Sequence, residues 1–283
     1  MSFHRHRQLL HILRQVLKLC VHADIPVSRN WKAHGQADAY FLPHEDCVAE
    51  YVHRGIPADR LYPYGIPVSH AFSPSDDRIL AKIRARNSLN LPPNVPICLV
   101  MSGSMGFGKL AVFAAELSLR LRSGEHMIII CGNNKHIYDV LQKQFKNHPR
   151  VHILGYTNRV ADYMDACDVI FTKPGGLTST EALVKRIPIV HTAPIPGCET
   201  ANRNFFVKRH LSVSSKYIAK QITLGKRLLT SSPDGHGNRH PALSLPRMEY
   251  RYNRCRSQQQ EFLASPFSSC TSLFLPGKGV ALR

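Results

Sequence analysis

The clearest signal in this chain is the alternation of apolar and helix-period segments after about residue 96. Short apolar runs stand at Ile97–Met101, 127–131, Val151–Leu154, 168–172 and 187–192. Between and after them, segments 109–122, 135–145, Val160–Ala166, 179–186, 199–209 and 215–229 carry helical spacing. Nearly continuous apolar strands separated by helices predict a parallel sheet covered on both faces, an α/β fold. Before this region, 39–42 reads as a strand and 45–54 as a helix opened by acidic residues, followed by Gly and Pro punctuation. The stretch NSLNLPPNVP at 87–96 reads as a linker. The division expected from this pattern is a basic segment at 1–23, a partial α/β domain at 24–90, a Rossmann-like domain at 91–230 and an irregular tail at 231–283.

The two ends break the pattern. Residues 1–20 could form a basic amphipathic helix with Leu9, Leu10, Leu13, Val16 and Leu17 on one face. Residues 231–283 have Ser, Pro, Gly and Arg without helical or strand period, and little packed structure is expected there.

Charge and cysteines narrow the class. Lys and Arg number 37 against 19 Asp and Glu, a net charge of +18. The excess is uneven, since residues 1–23 and 200–233 contain no acid at all. Such stretches attract polyanions, either an anionic lipid surface or nucleic acid, and equally suit a solvated surface with atypical ends. No RNA-binding motif, zinc finger or helix-turn-helix accompanies the charge, so nucleic acid is not expected. The eight cysteines are scattered without a CxxC pair, which argues against a zinc site or disulfide framework and for a reducing, cytoplasmic setting.

Two glycine loops follow strands. In LVMSGSMGFGKL (99–110) the order Gly103-x-x-Gly106-x-Gly108 is not the dinucleotide fingerprint. Gly108-Lys109 approaches a P-loop, but Leu110 stands where magnesium needs a hydroxyl. An ATP-binding, P-loop-like protein is therefore the weaker alternative. The second loop, TKPGGLTSTEALVKR from Thr172, places Gly175 and Gly176 before a helix that Thr178, Ser179 and Thr180 are suited to cap. Its amides and dipole suit a phosphate. Glu181 could complement the helix dipole or accept the hydroxyls of a ribose, and spacing alone leaves both open.

The long motif TKPGGLTSTEALVKRIPIVHTAPIPGCETANRNFFVKR, with MSGSMGFGK, ILGYTNRVADYMDACDVIFTKPGG and YFLPHEDCVAEYVHRGIP, resembles the monogalactosyldiacylglycerol synthase and processive diacylglycerol glucosyltransferase family. That family is related to the N-acetylglucosaminyltransferase of peptidoglycan lipid-intermediate synthesis. The similarity covers about residues 24–230 and implies a GT-B architecture whose C-terminal Rossmann-like domain holds a UDP-sugar. It further implies an inverting hexosyl transfer to a lipid such as diacylglycerol, at a membrane surface, without a nucleotide-bound metal or other cofactor. By the resemblance, Glu181 binds the ribose; Gly175, Gly176 and Thr178 approach the diphosphate, with Ser102, Gly103, Ser104 and Gly106 as a second phosphate loop. Tyr156 and Thr157 fall where the family holds uracil. Glu199 and Asn202 fall where side chains reach sugar or phosphate, although Glu199 equally suits a helix N-terminus.

No glycine- and histidine-rich loop like the family's acceptor loop is found, so no catalytic base is assigned. Most of the acceptor domain is expected to be missing, and the tail after about Thr230 departs from the family. A non-catalytic UDP-binding fragment is the principal alternative.

Overall fold

In the computed structural model, residues 19–21, 37, 39–66, 68–101, 110–194 and 196–230 are described. They fall into two compact units, one up to Ser69 and one from His70.

The first unit holds a parallel sheet in the order β1 (Leu19–Val21), β2 (Ala39–Phe41), β3 (Leu61–Tyr62). Helix α1 (Val48–His53) packs Tyr51 into a small core with Ala37, Tyr40, Leu42, Cys47, Ile56 and Leu61. Leu19 and Cys20 thus lie in a strand and not at the end of the helix expected over 1–20, because they pair with Ala39 and Tyr40. The remainder of that segment, residues 1–18, lies outside the described residues, as does the 231–283 tail.

The second unit is a six-stranded parallel sheet in the order β6-β5-β4-β7-β8-β9. Its strands are β4 (Ile97–Met101), β5 (His126–Ile130), β6 (Val151–Leu154), β7 (Val169–Thr172), β8 (Ile189–His191) and β9 (Val213–Ser214). Its helices are α2 (Arg78–Ser88), α3 (Leu110–Ser118), α4 (Lys135–Gln144), α5 (Val160–Ala166), α6 (Gly176–Val184), α7 (Cys198–Lys208) and α8 (Ile218–Thr230). The central strands β4 and β7 are buried at every position, which is why they read as unbroken apolar runs rather than alternating ones. On one face Phe113 and Leu117 of α3, Leu141 of α4 and Ile222 and Leu228 of α8 cover Val100, Ile129, Phe171 and Val190. Helix α8 lies so close that a Cβ on Gly225 would stand 2.2 Å from Phe171 Cζ.

Helix α2 corrects the expected boundary at residue 90. It belongs to the second unit, and its cations explain why. Arg78 donates to the carbonyls of Met164, Asp165 and Cys167 at the end of α5, satisfying acceptors that a helix C-terminus leaves open. Arg86 donates to Ala166 O at 2.9 Å and to Asp168 Oδ2 at 2.8 Å, and Lys82 stands 2.8 Å from Asp168 Oδ1. Asp168 also accepts from the amide of Ile97 at 2.7 Å. The 87–96 stretch is therefore tied down inside one unit instead of joining two.

Burial pushes the Cys47 and Cys131 thiols up to about 11. Both are buried, as are Cys98 and Cys167, in keeping with cysteines acting as small hydrophobes.

Candidate functional site

The strand order locates the site. From β4 the chain steps outward through β5 to β6, then returns to the other side of β4 and continues through β7 and β8 to β9. Adjacent strands whose connections leave in opposite directions form a crevice at their carboxyl ends, where open α/β sheets bind ligands. Here those strands are β4 and β7, with Met101 registered on Thr172. Both glycine loops begin there, one after Met101 and one after Thr172. Ser102, Gly103, Ser104 and Gly106 of the first loop lie outside the described residues, which resume at Leu110.

The second loop is short. Gly175 is extended, with φ −74° and ψ 143°, and α6 begins at Gly176 without a side-chain cap. The expectation that Thr178, Ser179 and Thr180 cap this helix is thus corrected, since all three lie inside it. Two of the hydroxyls are spent elsewhere: Thr180 Oγ1 donates back to Gly176 O at 2.8 Å, and Ser179 Oγ faces His191. Pro174 and the extended Gly175 start the helix early and leave its first amides uncapped by side chains. The first helical bond runs from Ser179 N to Gly175 O at 3.1 Å, so the amides of Gly176, Leu177 and Thr178 precede it. Neither the backbone angles of Gly175 nor packing demands glycine there, because a Cβ would meet nothing within 4 Å. The space beside this backbone is open.

Glu181 is partly buried on α6, three residues after Thr178 and on the same side of the helix. Burial alone pushes its carboxyl up to about 7, the direction expected for a carboxylate lifted out of water without a cation beside it. Glu199, in the first turn of α7, is 6% exposed and forms an ion pair with Lys173 Nζ at 2.7 Å. The pair joins the loop after β7 to the start of α7. Asn202, one turn further on, is fully buried. No sequence motif marks Lys173. A lysine at the exit of an apolar strand carries no local signal, and its partner lies 26 positions away.

Tyr156 and Thr157 follow β6, two strands from β4 and so about 10 Å from the switch point. Tyr156 is exposed, and Thr157 Oγ1 accepts from the amide of Arg159 at 3.1 Å. The structure thus sets Gly175, Gly176, Thr178 and Glu181 together on one loop and helix, Glu199 and Asn202 on α7, and Tyr156 and Thr157 across the sheet edge. Among the described residues one group, His44, Glu45 and Asp46, has the spacing to hold a metal ion; it lies in the first unit and is largely exposed. No helix among the described residues is long and apolar enough to cross a membrane.

Residues 97–196 match the glycosyltransferase family 28 C-terminal domain. A processive diacylglycerol beta-glucosyltransferase of Staphylococcus carnosus is 30% identical over 233 residues, covering 82% of this chain and 57% of its own length. The rice protein named "Probable monogalactosyldiacylglycerol synthase 2, chloroplastic" (Oryza sativa subsp. indica) is 32% identical over 192 residues, covering 66% of this chain and 40% of its own. The chain therefore spans about half the length of these curated relatives. Among solved structures, Anabaena HepE in complex with UDP superposes with a TM-score of 0.59 at 13% identity, covering 91% of this chain and 74% of that one. WaaG, a glycosyltransferase involved in lipopolysaccharide biosynthesis, gives 0.51 at 15% identity, covering 90% and 64%. At such identities the likeness shows the fold, which is of the GT-B glycosyltransferase type. The chain carries a glycosyltransferase family 28 C-terminal domain and, over most of its length, is related to the diacylglycerol glucosyltransferases and monogalactosyldiacylglycerol synthases.

Proposed function

We propose that the second unit binds a UDP-sugar at the β4–β7 switch point and that the chain serves hexosyl transfer to a lipid acceptor such as diacylglycerol. The observation that carries the reading is the pairing of the two strand ends that the glycine loops follow in sequence, beside a helix whose first amides precede its first hydrogen bond. The diphosphate would lie against Gly175, Gly176 and Thr178, with Ser102, Gly103, Ser104 and Gly106 as the opposing loop. Glu181 would accept the ribose hydroxyls, and Tyr156 and Thr157 would border the uracil. With Glu199 already paired to Lys173, contact with the sugar falls to that pair as a unit, Asn202 backing it from the core.

In the transfer, the bond between the anomeric carbon and the diphosphate oxygen breaks as the acceptor oxygen bonds to that carbon from the opposite side, inverting it. The acceptor proton passes to a base, to which no residue is assigned. Charge growing on the departing UDP meets amides and a helix dipole already oriented toward it. No nucleotide-bound metal is required for that step. The acid-free stretches at 1–23 and 200–233 support contact with an anionic membrane from the cytoplasmic side.

The test is calorimetric titration of the full chain with UDP, with ADP and Glu181→Ala as controls. Selective UDP binding that the substitution abolishes supports the site, and transfer from UDP-sugars to diacylglycerol then tests the reaction. A folded chain that ignores UDP sinks the reading.

A further inference from the structure

We propose that His191 is a positioning residue for the first turn of α6, a role that rests on the reading of that turn as the diphosphate site. His191 ends β8 with both ring nitrogens engaged. Nε2 lies 3.0 Å from Ser179 Oγ on α6, and Nδ1 lies 2.9 Å from Ser212 Oγ, just before β9. The ring of Phe206, on α7, meets the imidazole edge to face with centroids 5.4 Å apart. His191, Ser179, Ser212 and Phe206 are all buried. One side chain thereby fastens the three elements that surround the end of β8.

The rest of β8 is apolar, and a polar group in such a core destabilises it unless hydrogen-bonded. Burial, with Arg203 adding to it, pushes the His191 imidazole down to about 3. The ring is therefore neutral across the working pH range. A neutral imidazole offers one N–H and one lone pair, so one serine donates to it and the other accepts from it. Valine or leucine would fill the same space without fixing the rotation of α6.

Ser179 carries that constraint to the ligand side. Its hydroxyl is held by His191, while its own N–H closes the first helical bond on Gly175 O. The three amides ahead of that bond, on Gly176, Leu177 and Thr178, are those assigned to the diphosphate. Released from the imidazole, the serine hydroxyl would turn to carbonyls of its own helix, a bond that bends helices. Glu181 lies about 200° further round α6 and so faces away from the His191 contact. The core thus locks one side of the helix while the other receives the ligand.

Two substitutions in the full chain separate positioning from mere core packing. His191→Gln places an amide near Nε2 and can keep the Ser179 bond, whereas His191→Asn places it near Nδ1 and keeps the Ser212 bond. Both remove the ring and should lower the melting temperature comparably. UDP affinity should stay within about threefold for His191→Gln and fall about tenfold for His191→Asn, the effect of one hydrogen bond. Ser179→Ala, which removes a single oxygen, should match the Asn variant and guards against loss of folding in either histidine variant. Amide exchange at Ser179 in the ligand-free chain should accelerate in His191→Asn and Ser179→Ala but not in His191→Gln. Equal exchange at Ser179 in the two histidine variants, or equal UDP affinity, would overturn the proposal. Wild type that fails to bind UDP while keeping this exchange pattern would instead remove the nucleotide reading and leave the anchoring of the turn intact.

Discussion

If the second unit binds a UDP-sugar as proposed, the raised carboxyl of Glu181 makes that binding depend on pH in a direction that can be stated in advance. Its pKa moves from 4.5 to about 7 through burial. Each unit is about 1.4 kcal/mol, so ionising it in the ligand-free chain costs on the order of 3 kcal/mol. The sign for stability follows from linkage. Below pH 4.5 the group is protonated in both folded and unfolded chains and contributes nothing. As pH rises from 4.5 to 7 the unfolded chain loses its proton first, so the folded state loses stability, fully so above 7. Glu181→Gln should therefore leave stability unchanged at pH 4 and raise it by about 3 kcal/mol at pH 8. Binding runs the other way. In the proposed site ribose hydroxyls would donate to the charged carboxylate, which is about a tenth populated at pH 6 and nine-tenths at pH 8. Affinity for UDP-glucose, whose diphosphate keeps a constant charge over this range, should rise about tenfold between these values. Close to one proton should be released per ligand at pH 6, read from binding enthalpies in buffers of different ionisation heat. The glutamine variant should bind weakly without this slope. A wild-type affinity flat from pH 6 to 8, or a slope retained in Glu181→Gln, would refute the assignment of the ribose to Glu181.

Other outcomes follow from the packing. Gly225→Ala drives a methyl into Phe171, which is fully buried; overpacking of about 1–3 kcal/mol outweighs the gain in helix propensity, and urea denaturation should show a net loss that Phe171→Leu partly restores. Asp168→Asn leaves Arg86 without its buried partner and weakens the Lys82 contact, so unfolding free energy should drop by about 3–5 kcal/mol. The Thr172 hydroxyl is buried with no hydrogen-bond partner among the described residues; Thr172→Val should raise the melting temperature, by a free energy of about 1 kcal/mol. Chelation with EDTA should leave UDP affinity unchanged, because in the proposed site amides and a helix terminus would carry the diphosphate; a loss restored by magnesium would show that a metal is required.

The apolar runs and glycine loops announce an α/β sheet and the ends of the strands where a phosphate could sit. These features are local, set by the period of a strand or helix and by turn residues within a few positions. The order of the strands is not local. Ile97 and Asp168 stand 71 positions apart, yet their hydrogen bond and the β4–β7 pairing beside it set side by side the two strand ends that the glycine loops follow in sequence. The same reach assigns α2 to the second unit through Arg86 and Asp168, 82 positions apart, where composition at 87–96 suggests a linker. The start of α6 at Gly176 turns on Pro174 and an extended Gly175, while Thr180 and Ser179, which look like caps, find partners in the helix and on β8. His191 ends an apolar strand run and carries no motif; its meaning arises when α6 and the approach to β9 bring hydroxyls to both ring nitrogens. Glu181 stands out in the sequence as an acid near a glycine turn. Its carboxyl near 7 follows from burial, which the folded packing alone supplies.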